Sequence, residues 1–152
     1  ETLEKLYEFN NQPVFAEIKE YAAGSRSQPK SPHDWGGART RRLLTLAYVL
    51  SFLCLLRFDE VLKIQIHDIE WISSTCIKLT LPFRKTNQFG GIKPFYLHLF
   101  PEHLAHICPI RALAQWLYVS EITEGYLFRK MSSGDRVSTD KNSHMVRLHS
   151  RG

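Results

Sequence analysis

The run from Leu43 to Leu56 constrains this chain most. About 14 consecutive residues are apolar apart from Thr45 and Ser51, and a membrane span needs about 20. So short and so apolar a segment has to be buried as a helix on most of its faces. The chain is then a globular protein built around one greasy helix, and its 152 residues suit a single core.

The other elements are read from periodicity. In the first 23 residues Leu3, Leu6, Tyr7, Phe9, Val14, Phe15, Ile18 and Tyr21 recur at spacings of three, four and seven, which predicts one or two amphipathic helices interrupted at Pro13. Gly24 to Gly37 is a Ser/Pro/Gly-rich loop that leads into the basic helix start Ala38-Arg-Thr-Arg-Arg42. After the apolar helix comes a short helix at Asp59–Lys63, then an alternating stretch, Ile64 to Glu70, that reads as a strand or a turn entering one. Ile77, Leu79, Leu81 and Phe83 alternate with polar residues, as do Phe95, Leu97 and Leu99. The two runs predict a β-hairpin with a long polar tip over Arg84–Gly91. Pro101–His106 is a short connection, and Cys108–Tyr118 is a helix with Pro109 in its first turn. Gly125–Phe128 reads as a brief strand, and Arg129 onward as a basic, aperiodic tail that is poorly ordered. The organisation is 1–37 as helical segment and loop, 38–128 as core and 129–152 as tail. The fold class is α+β, mainly helical, with a small hairpin or sheet beside a buried helix core.

Composition narrows the function. Lys plus Arg number 20 against 15 Asp plus Glu, a formal charge of +5, which suits a polyanionic partner. Three scattered cysteines fit neither a disulfide framework nor a zinc site and read as reduced, intracellular packing. The seven histidines form no ligand motif, with His103 and His106 reading as surface residues. Gly36-Gly37 and Gly90-Gly91 are turn pairs and not a nucleotide fingerprint. The opening Glu1-Thr-Leu-Glu-Lys has neither the basic nor the apolar region of a secretory signal. Neither metal nor cofactor is expected, and no membrane.

Three features then stand out in chain order. Arg57 follows the apolar helix, where its guanidinium must find water, a carboxylate or a phosphate. It either pairs with Asp59 or Glu60 or grips a phosphate bidentately. Lys85, beside Arg84 and before Asn87 and Gln88, sits on the hairpin tip, where it is a solvated charge or a proton donor to a leaving oxygen. His144 and Arg147 share one face if their stretch is helical. Arg26, Lys30, Arg39, Arg41 and Arg42 are candidate phosphate contacts, helped by the helix dipole at Ala38, or else a plain solvated basic loop. Arg84, Asn87 and Gln88 are candidate DNA contacts on the arm.

Arg57-x-x-Glu60-x-Leu62 with His67-Asp68-Ile69 resembles the first arginine box of tyrosine recombinases and phage-type integrases. Leu79-Thr-Leu-Pro-Phe-Arg-Lys85-Thr-Asn-Gln resembles their lysine-bearing hairpin. Together with Cys108-Pro-Ile-Arg-Ala-Leu-Ala-Gln-Trp-Leu, the wording is most similar to recombinases of crypton-type and related eukaryotic mobile elements, over roughly Arg39 to Phe128. Leu55 and Leu56 stand where that family often has Thr-Gly or a similar small pair.

The resemblance implies DNA strand cleavage and rejoining. A tyrosine attacks a backbone phosphate, a 3′-phosphotyrosyl bond forms, and a 5′-hydroxyl leaves. Arg57 and Arg147 would hold the non-bridging oxygens, His144 would assist proton traffic, and Lys85 would protonate the leaving oxygen. Double-stranded DNA would be the partner, a homo-oligomer on DNA the acting form, and the nucleus the setting. None of the six tyrosines follows Arg147, so a nucleophile is expected to be absent from this chain. Two alternatives stand beside this reading: a domesticated, non-catalytic DNA-binding or scaffold protein on the same fold, and an unrelated globular interaction domain whose positive charge is incidental, which a helical structure with no hairpin at Ser74–Leu99 would favour.

Overall fold

The apolar run forms α3, Ala38–Cys54, in a computed structural model that describes residues 1–19, 37–84 and 91–145. Leu43, Leu46, Ala47, Leu50 and Cys54 recur at helical spacing and are buried, so one flank of α3 is the centre of the core. Against it packs α5, Pro109–Ser120. Pro109 occupies the first turn, where its missing N–H costs nothing. Ile110, Leu113 and Trp116 point inward, and the fully buried Trp116 donates its Nε1–H to the Leu127 carbonyl at 2.8 Å.

Beyond α3 lies α4, Phe58–Leu62, followed by a 3₁₀ turn at Ile66–Asp68. The alternating stretch that begins at Ile64 is thus mostly turn: the Asp68 carboxylate accepts the Gln65 N–H at 2.9 Å and tightens it. The strand comes later, as β1, Ile69–Ser73. With β2, Cys76–Leu79, and β3, Phe95–His98, it makes an antiparallel sheet ordered β1-β2-β3. The predicted hairpin is β2/β3, paired Ile77 with Leu97 and Leu79 with Phe95. The absence of a hairpin, which would have favoured the interaction-domain alternative, is not observed. The two-residue period sends Ile77, Leu79 and Leu97 to the core and leaves Glu70, Tyr96 and His98 on the solvent face.

The N-terminal pattern resolves into α1, Thr2–Asn10, and α2, Pro13–Ala16. The connection at Pro101–His106 is a 3₁₀ turn, Glu102–Ile107. The strand expected at Gly125–Phe128 reduces to one antiparallel bridge between Gln65 and Tyr126, with Leu127 and Phe128 fully buried beside it.

The expectation of a poorly ordered tail fails from Arg129 to Met145. This stretch carries a second hairpin, β4, Met131–Ser132, with β5, Arg136–Val137. Its Arg129 is buried and donates to the carbonyls of Tyr126, Ser138 and Glu124. Asp135, between the strands, reaches the first turn of α3. Its carboxylate accepts the N–H groups of Arg39 at 2.7 Å and Thr40 at 2.8 Å, and the Thr40 hydroxyl at 2.8 Å. A β-carbon at position 37 would collide with that carboxylate, so the close approach requires Gly37.

Candidate nucleic-acid interface

The α3–α4 turn is built by an uncommon backbone. Cys54 ends the helix and Leu55 takes the left-handed conformation, φ 51° and ψ 47°, while its side chain stays 81 % exposed. The reversal lets Leu56 turn inward and leaves Arg57 extended at the start of α4. Glu60, only 2 % exposed, accepts the backbone N–H of Arg57 at 3.0 Å. The carboxylate therefore holds the main chain of Arg57. Its guanidinium is exposed and has no carboxylate partner among the described residues. The ion pair with Asp59 or Glu60, one of the two readings of Arg57, is not formed.

One contact and one electrostatic influence relate this turn to the base of the β2/β3 arm. Lys63, the residue after α4, sets its Nζ 4.3 Å above the Phe83 ring. Arg84, 5.5 Å from the Phe95 ring centre, exerts its charge on the Cys54 thiol. Burial dominates at that thiol and pushes it up to about 11, while Arg84 pulls the other way. Lys63 at one end of the 54–63 segment thus meets Phe83, and Cys54 at the other feels the charge of Arg84. Arg57 lies between them in the chain.

Of the remaining predicted site residues, Lys85, Asn87, Gln88 and Arg147 lie outside the described residues, as do Arg26 and Lys30. His144 is half-buried and meets Tyr126 edge-on, with ring centres 5.1 Å apart. Tyr126 in turn bridges to Gln65, two positions beyond Lys63, so His144 is brought to the chain just after α4. No helical face shared with Arg147 is found up to Met145, since the chain around His144 is not helical.

The basic start of α3 is a different matter. Arg41, expected among the phosphate contacts, is 2 % exposed, lies 4.3 Å from the Phe15 ring centre and 5.6 Å from that of Phe9, and donates to Asn10 at 2.6 Å. It is a core residue that fastens α1 and α2 to α3. Arg39 donates from Nε to the Val119 carbonyl at 3.0 Å, bracing α3 on the end of α5. Arg42 donates to the carbonyls of Ala38 at 3.1 Å and Ala16 at 3.0 Å. Burial lowers its pKa, opposed by Asp135. These arginines brace helices, and the helix start expected to attract phosphate is already taken by Asp135.

The chain matches no family model, and no curated protein or solved structure is significantly similar to it. The reading of this surface therefore rests on its own chemistry. Among the described residues no group of three His, Cys, Asp or Glu could hold a metal ion, and no helix is long and apolar enough to cross a membrane. Sequence reasoning missed Lys63 and Phe83, which are ordinary residues until the fold brings them together. It also missed Asp135, an isolated acid in a basic stretch.

Proposed function

We propose that this chain is the DNA-binding core of a tyrosine-recombinase-like strand-transfer domain, working as a homo-oligomer on double-stranded DNA in the nucleus. The observation that carries the reading is the exposed Arg57, without a carboxylate partner among the described residues, in the 54–63 segment whose Lys63 lies over Phe83. A cation left in this way keeps its planar fork for a phosphate.

In this proposal Arg57 neutralises charge growing on the non-bridging oxygens of the scissile phosphate. Arg147 adds a second guanidinium and His144 handles protons. As the tyrosyl oxygen bonds to phosphorus and the bond to the 5′ oxygen breaks, Lys85 supplies that oxygen with its proton. All six tyrosines precede Arg147, so the groups proposed here hold phosphate and move protons, and the nucleophile is not among them. A second reading is that the same fold binds duplex DNA without cutting it. Covalent capture of a suicide duplex through a tyrosine rejects that second reading.

The test of the first is duplex binding as a function of salt. Affinity should fall steeply as salt rises, and Arg57→Ala should weaken binding about tenfold, the worth of one charge-assisted contact, with the melting temperature kept. Salt-insensitive affinity, or a large loss of stability with DNA affinity unchanged, refutes it.

A further inference from the structure

We propose that Lys63 is a phosphate-binding residue of this interface and that Phe83 is the residue that positions it; the inference rests on the duplex-DNA reading of the same surface. Lys63 follows a helix of only five residues, too short to explain the lysine by its dipole. Its ammonium has no carboxylate partner among the described residues, although Asp59 is four positions back on the same helix. What it has is a ring: Nζ lies 4.3 Å above Phe83, close enough for a cation–π attraction. An acid would neutralise the charge, whereas a ring leaves it net positive. The stem freedom that a lysine normally loses on binding is thus partly lost on folding.

Phe83 itself is 41 % exposed. Phe83 is thus reachable from solvent on one side while Lys63 covers its ring on another. It immediately precedes Arg84, whose guanidinium is 5.5 Å from the Phe95 ring centre and likewise has no acidic partner among the described residues. Two cations braced on aromatics, Lys63 on Phe83 and Arg84 on Phe95, with the exposed Arg57 six residues before Lys63 in the chain, are the groups that would follow a phosphate backbone. A compact ammonium is a point charge that does not read base edges bidentately, so Lys63 contributes grip without sequence preference.

The experiment titrates salt against the binding of two fluorescent duplexes of unrelated sequence to the full chain. Lys63→Ala should reduce the slope of log affinity against log salt by about one, equally on both duplexes and with the melting temperature unchanged. If Lys63→Ala lowers the melting temperature, Lys63→Gln, which keeps most of the stem, carries the same expectation. Phe83→Leu should weaken binding several-fold with the wild-type slope retained, and Phe83→Trp should restore it, because only an aromatic ring attracts the ammonium. A wild-type slope left unchanged by Lys63→Ala and Lys63→Gln, or a loss confined to one duplex, overturns this inference alone. A wild-type chain with no salt slope overturns it together with the reading beneath it.

Discussion

Leu55 occupies a backbone conformation that costs a non-glycine residue about 1–2 kcal/mol, yet its side chain is almost wholly in water. Nothing is gained from the leucine that offsets the strain. Leu55→Gly should therefore stabilise the fold by about 0.5–1 kcal/mol, after allowing for the extra freedom glycine gives the unfolded chain, and a raised urea midpoint measures it. A lowered midpoint would mean that Leu55 packs in a way its exposure denies. One residue before it, Cys54 lends itself to a pH test. Its folded pKa of about 11 lies above the ordinary thiol value near 8.5. Above that value the unfolded chain releases a proton that the folded chain keeps. The stability contributed is fully present below about pH 8.5 and is lost as pH rises toward 11. Urea midpoints at several pH values should fall over this window in wild type and fall less steeply in Cys54→Ala. Neither residue's behaviour was legible in advance. A sequence lists Leu55 and Cys54 as two members of a greasy run, and only the path of the chain exposes one and buries the other.

Among elements, legibility followed periodicity. The 3.6-residue rhythm of Leu43, Leu46, Leu50 and Cys54, and of Ile110, Leu113 and Trp116, carries α3 and α5, and the alternation of Ile77 and Leu79 with Phe95 and Leu97 carries β2 and β3. What periodicity cannot carry is an edge strand such as β1, whose residues after Ile69 are all exposed, or a short hairpin held by polar side chains. Around β4 and β5 the stabilising groups are Arg129, which bonds to carbonyls on both sides of it, and Asp135, which bonds to backbone far away in the chain, and no local pattern announces such partners. Asp135→Ala removes the cap of α3 and should cost about 2 kcal/mol, read as a lower melting temperature with the salt slope of DNA binding unchanged. If the salt slope drops with it, the region belongs to the interface after all.

At the scale of the whole molecule, the +5 charge suits an anionic partner but locates no site for one. Sequence reading spread the candidate phosphate contacts over the loop before α3, the start of α3 and the arm. Folding separates these groups, because arginines at a helix start can satisfy themselves on neighbouring carbonyls and rings. Arg39, Arg41 and Arg42 do so, while Arg57 does not. The proposed interface is consequently at the α3–α4 turn and the base of the arm, and not at the start of α3. Hydrogen exchange of the full chain with and without a short DNA duplex tests that assignment directly. Exchange should slow across 54–63 and the base of the arm, with 38–42 unchanged. Protection at 38–42 with none across 54–63 would contradict it.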